Sequence, residues 1–181
     1  GTWAMAPYHH ALLHAAAGRH AEAEAAAAAS LRLMLDDPDG YPADQPAMRA
    51  LLARLACRDG RLDPAREQWD ALDAWAAAGR PIEALPAAWW VESRLLCDSA
   101  HGDLAAAAAH LPALREAAAA LSPGDQAEAT RWQLTEADLL QRLDGTDPAP
   151  LSERARAALR ALDVDPGHPL LAEDWRPHPE G

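Results

Sequence analysis

Aligned on four glycines, the chain repeats one pattern of apolar and polar positions. Each repeat has an apolar stretch, a turn at Gly18, Gly60, Gly102 or Gly145, a second Ala- and Leu-rich stretch, and a link marked by Pro38, Pro81, Pro123 or Pro166. The glycines are spaced by 42, 42 and 43 residues and the prolines by 43, 42 and 43. Two independent helix-breaking signals with one period identify an array of similar units. Just before each glycine runs a mostly apolar strip: Leu12 and Leu13, Arg54 and Leu55, Leu96 and Cys97, Leu139 and Leu140. Core packing is sufficient to explain it.

The pattern predicts a first helix in each unit over 3–17, 45–58, 86–100 and 125–143, and a second over 20–36, 63–78, 103–121 and 148–162. The units fall at about 1–40, 41–82, 83–124 and 125–166, followed by a Pro-rich tail, 167–181. Glycine after each first helix permits the left-handed backbone that closes it. Asp63-Pro64 and Asp147-Pro148 are expected to supply a capping carboxylate and a proline at the first helical position. Pro112 lies well inside the third unit's second helix and should kink or split it. The links at 36–40, 122–125 and 165–169 stop the second helices. In the tail, Leu170, Leu171 and Trp175 are expected to fold back over the terminal face; otherwise that face would meet another subunit or domain.

Three turns, Gly18-Arg19-His20-Ala21-Glu22-Ala23, Gly60-Arg61-Leu62-Asp63-Pro64-Ala65 and Gly102-Asp103-Leu104-Ala105-Ala106-Ala107, resemble the turn of the tetratricopeptide repeat. Ala161-Leu162-Asp163-Val164-Asp165-Pro166 is similar to that family's second-helix ending. The resemblance covers nearly the whole chain and implies an all-α, right-handed α-solenoid of four antiparallel helix hairpins. Each unit is about eight residues longer than that family's usual repeat, and the large aromatic expected early in the first helix is replaced by Pro7, Arg49, Val91 and Leu134. The elongated arrays of bacterial signal-transduction regulators are the better match. HEAT-type repeats, with a compatible period, are the alternative fold.

Composition supports an all-helical chain and narrows the chemistry. Ala and Leu dominate, Phe is absent and Ile82 is the single isoleucine, so the core must come from Leu, Ala and seven Trp. All sixteen basic residues are Arg, a bias that points to a GC-rich bacterial genome. A net charge of −12 without a basic stripe argues against nucleic acid and against an anionic membrane surface. Cys57 and Cys97 occupy first helices of adjacent units. The usual 8–10 Å between packed helices is long for a disulfide, so two reduced buried thiols in a cytoplasmic protein are the expected reading.

Candidate chemistry is sparse. Phosphate loops, nucleophile elbows and paired-Cys zinc motifs are missing, so a non-enzymatic protein without cofactor is expected. His10 and His14 share a helix face beside His9, a spacing that can hold zinc, but no third ligand is evident and a solvated helix end is the simpler reading. Thirteen residues before the glycines stand Met5, Ala47, Trp89 and Trp132. The family resemblance implies that this position faces a concave groove for partner peptides. That groove would be lined by Tyr8, Arg54, Arg58, Trp89, Glu92, Trp132 and Arg142, with Trp89 and Trp132 as apolar anchors and Arg54 and Arg58 pairing partner carboxylates. Trp90 replaces Trp89 if the register shifts by one. The expected function is thus a protein-interaction scaffold for a protein or peptide. A ligand-sensing domain of a bacterial regulator and a dimerisation or assembly scaffold are the alternatives.

Overall fold

The structure, a computed structural model, describes residues 5–37 and 43–161. Among these residues it is helical throughout, with no strand. The helices are α1 (Met5–Ala16), α2 (His20–Asp36), α3 (Gln45–Arg58), α4 (Leu62–Ala77), α5 (Ala84–Ala100), α6 (Leu104–Ala109), α7 (Leu111–Ala119), α8 (Gln126–Asp144) and α9 (Ala149–Ala161), with a 3₁₀ turn at Pro123–Asp125 before α8. Each first helix packs on the helix that follows it: α1 on α2, α3 on α4, α5 on α6 and α7, α8 on α9. Between these groups α2 meets α3, and α6 and α7 both meet α8. The broadest interhelical contact is that of α3 with α5, whereas α4 touches α5 only lightly. Pro38, Pro166, the tail and its Leu170, Leu171 and Trp175 lie outside the described residues.

The turn signals act as their chemistry dictates. Gly60 and Gly102 hold φ of +68° and +82°, and Gly18 and Gly145 share that left-handed region. A side chain there would be strained, which is why glycine recurs at these positions. Pro112 splits its helix: α6 ends at Ala109, and α7 restarts at Leu111 with the proline in its first turn, where no amide donor is needed. His110, at the break, is tied to Asp98 of α5 through Nε2 at 2.9 Å. Asp147 accepts from the Ala149 amide, the first of α9, at 3.0 Å. Asp63 does not cap. It lies one residue inside α4, where its charge still opposes the helix dipole favourably. The capping carboxylate that operates in the third unit is Asp103, which accepts from the Ala106 amide at 2.9 Å.

The core is Leu, Ala, Met and Trp, with Met34, Met48, Leu51, Leu72, Leu95 and Leu139 among its fully buried members. A second small cluster joins Ala56, Cys57, Ala65, Leu96 and Cys97, with Trp69 packed on it. Here the expectation of two reduced thiols is corrected. Cys57 and Cys97 form a disulfide with their Cα atoms 4.5 Å apart. The 8–10 Å between packed helices runs from axis to axis, and with Cα atoms about 2.3 Å off each axis two residues on facing sides come within about 4–5 Å, inside disulfide reach. Cys57 and Cys97 occupy such facing positions, packed with Ala56 and Leu96 in one buried cluster. Disulfides persist in oxidising compartments, so the bond removes the support that free thiols lent to a cytoplasmic location. No helix among the described residues is long and apolar enough to cross a membrane.

The disulfide closes a loop across a sequence separation of 40 residues. Replacing both cysteines (Cys57→Ala, Cys97→Ala) should cost about 2–4 kcal/mol of stability, read as a lower urea midpoint against the oxidised chain. A change within about 0.5 kcal/mol would contradict a bond that clamps α3 to α5.

Candidate functional site: a buried charge network beside an open groove

Three helices bring four ionised side chains into the interior. Arg54 comes from α3, Glu92 from the middle of α5, and Glu128 and Arg131 from the first turns of α8. Glu92 is fully buried, Arg131 is 1% exposed and Arg54 5% at the side chain, with Glu128 at 19%. The carboxylate of Glu92 is the hub. Its Oε2 lies 3.1 Å from Arg54 Nε and accepts from Arg131 Nη2 at 3.0 Å. Its Oε1 lies 2.7 Å from Arg131 Nη1, an ion-pair contact outside hydrogen-bond alignment. Arg131 Nε donates to Glu128 at 2.8 Å, and Arg54 Nη1 reaches the same carboxylate at 3.8 Å. Two cations and two anions alternate, so the cluster is neutral.

The pairing decides which charges survive burial. For Arg131, burial alone would lower the pKa, but Glu128 and Glu92 outweigh it and raise the value above that of an ordinary arginine. For Arg54, burial prevails over the attraction of Glu92, with Arg131 and Arg58 repelling it, and its pKa is lowered. For Glu128, burial pushes upward, yet Arg131, Arg54 and the Trp89 indole together pull its pKa below the usual 4.5. Aromatic faces complete the enclosure. The Arg54 guanidinium lies 5.8 Å from the Trp89 ring and that of Arg131 5.8 Å from the Trp132 ring.

These positions bear on the expected groove lining. Arg54, Trp89, Glu92 and Trp132 do come together, but in the interior, where they meet one another instead of solvent. Arg58 is half-buried beside His20 and Arg54 around a small enclosed cavity. Tyr8 is half-buried against the main core, where burial, then Asp44 and Glu83, raise its pKa. Arg142 is an exposed residue that donates to the Ser99 hydroxyl at 2.9 Å and so ties α8 to the end of α5. The seven therefore do not line one surface. The unanticipated members are Glu128 and Arg131. Their sequence signal was an oppositely charged i, i+3 pair next to Trp132. Among the described residues no group of His, Cys, Asp or Glu is arranged to hold a metal.

An open groove lies on the other side of Trp132. It runs along α8 between α7 and α9 and encloses about 670 Å³, within the range of ligand-sized clefts. Trp132 and Ala129 contribute from α8, Leu114 from α7 and Leu151 from α9. Arg115 of α7 and Glu136 of α8 also line it as an ion pair, with Nε to Oε1 at 3.1 Å, and Arg154 of α9 lines the opposite side. Comparison of the chain with protein-family models, with curated proteins and with solved structures found no match.

Breaking the hub should be costly. Glu92→Leu leaves two buried guanidiniums without their shared anion and should lower stability by about 3–5 kcal/mol in urea denaturation. The acid limb should report Glu128. Its folded-state pKa lies below the ordinary 4.5, so its contribution is complete above that value and is lost as the pH falls through the lowered one. The stability difference between wild type and Glu128→Gln should therefore shrink progressively below about pH 4.5. An unchanged difference from pH 7 down to pH 3 would contradict the pairing.

Proposed function

We propose that the chain is a non-enzymatic protein-interaction module, a tetratricopeptide-like solenoid of four helix hairpins that holds a segment of a partner protein. The observation that carries this reading is the α7–α9 groove, which is open, largely apolar at its sides and bordered by charge. The period near 42 residues, the left-handed glycine in every turn and the pairwise packing of successive helices support the repeat architecture. The partner surface differs from the one suggested by the sequence. Trp89 and Arg54 serve the interior, while Trp132 links that interior to the groove. Rigid helical walls suit a scaffold, because a preformed groove spares the partner's binding energy the cost of ordering it.

A second reading, a sensor of a small ligand, is favoured by the groove's volume alone. Affinity capture with mass spectrometry, followed by titration of the purified partner, separates the two. A partner segment that binds saturably supports the interaction module. Failure to find one, together with saturable thermal stabilisation by a metabolite, would overturn it in favour of the sensor.

A further inference from the structure

We propose that the α7–α9 groove takes an apolar partner segment bearing a carboxylate, and that Arg154 pairs with that carboxylate. The inference rests on the interaction-module reading and assigns the chemistry of its occupant. Its first support is charge. In a chain of net charge −12, helix α9 carries Arg154, Arg156 and Arg160 against a single acid, Glu153, so the groove is bounded on this side by a helix with more basic than acidic residues. Its second support is the groove's own pairing. Arg115 on the α7 wall is already held by Glu136, whose side chain is only 14% exposed. Arg154 on the facing wall is exposed and has no carboxylate among the described residues. Among the described residues the groove thus contains one arginine–carboxylate pair, Arg115 with Glu136, and one arginine, Arg154, with no carboxylate partner.

The remaining lining sets what else the segment must bring. Ala118, Ala129 and Leu151, each half-buried, offer apolar contact over the buried Leu114 and Trp132, and burying apolar side chains against them supplies affinity that a lone exposed ion pair does not. The carboxylate then selects register and partner, as rim charges generally do. A nucleic acid or a basic peptide does not fit this combination, since the rest of the surface repels the first and Arg154 repels the second.

Peptide-display selection on the oxidised 181-residue chain, run in parallel on Arg154→Glu and Ala158→Trp, tests this. Ala158 is exposed and lines the groove, so a tryptophan there fills it without touching the core. Wild type should enrich apolar peptides containing Asp or Glu. A fluorescein-labelled peptide of the selected consensus should lose at least tenfold in affinity with either variant, while both variants keep the wild-type melting temperature. Arg154→Glu should shift its own enrichment toward Lys and Arg. Peptides that bind both variants as well as wild type would overturn the groove assignment and leave the interaction module standing. No enrichment on any chain would overturn both. Self-association abolished by Ala158→Trp would name a second copy as the occupant and overturn the proposal.

Discussion

Glu92 is an anion with no exposure to water, and everything around it is arranged to make that tolerable. A carboxylate transferred to the interior without partners would cost several kcal/mol or would take up a proton. Here it is met by Arg54 from one helix and Arg131 from another, and the two cations are balanced by Glu128. Such a cluster contributes little net stability compared with an apolar core of the same volume. Its consequence is positional. The four groups stay within ion-pair distance only while α3, α5 and α8 keep these separations, whereas contacts between Leu and Ala are non-directional.

The disulfide acts on the same pair of helices. Cys57 stands one turn after Arg54 and Cys97 about one turn beyond Glu92, so the covalent bond and the ion pair hold α3 to α5 at neighbouring levels. From there the constraint passes to α8 through Arg131, whose guanidinium faces Trp132. Trp132 in turn lines the groove between α7 and α9. The buried network and the open groove are therefore consecutive layers: the first fixes the helix that forms part of the second.

Much of the fold could be read directly. The glycine and proline periods placed the helix boundaries within a few residues, because turn residues act locally and their backbone requirements do not depend on tertiary context. Pro112 likewise announced the split between α6 and α7. What escaped were the properties that depend on how helices cross. The sequence shows that Cys57 and Cys97 lie in neighbouring units, but only the packing of α3 on α5 shows that they stand on facing sides of the two helices. Trp89, Trp132, Arg54 and Glu92 were recognised as one group, yet whether such a group faces solvent or the interior turns on a rotation of a fraction of a helical turn. Arg131 and Glu128 provide the compensating charges that make the interior choice possible, and neither stands out until Glu92 is known to be buried.

The claim that this network sets the register of three helices is tested most directly by a double-mutant cycle on Glu92→Gln and Arg131→Met in the disulfide-bonded chain. If Glu92 joins α5 to α8 as described, the stability losses should be strongly non-additive, with a coupling energy of about 1–3 kcal/mol. Losses that add to within about 0.5 kcal/mol would show that the two side chains act independently, and would contradict the account.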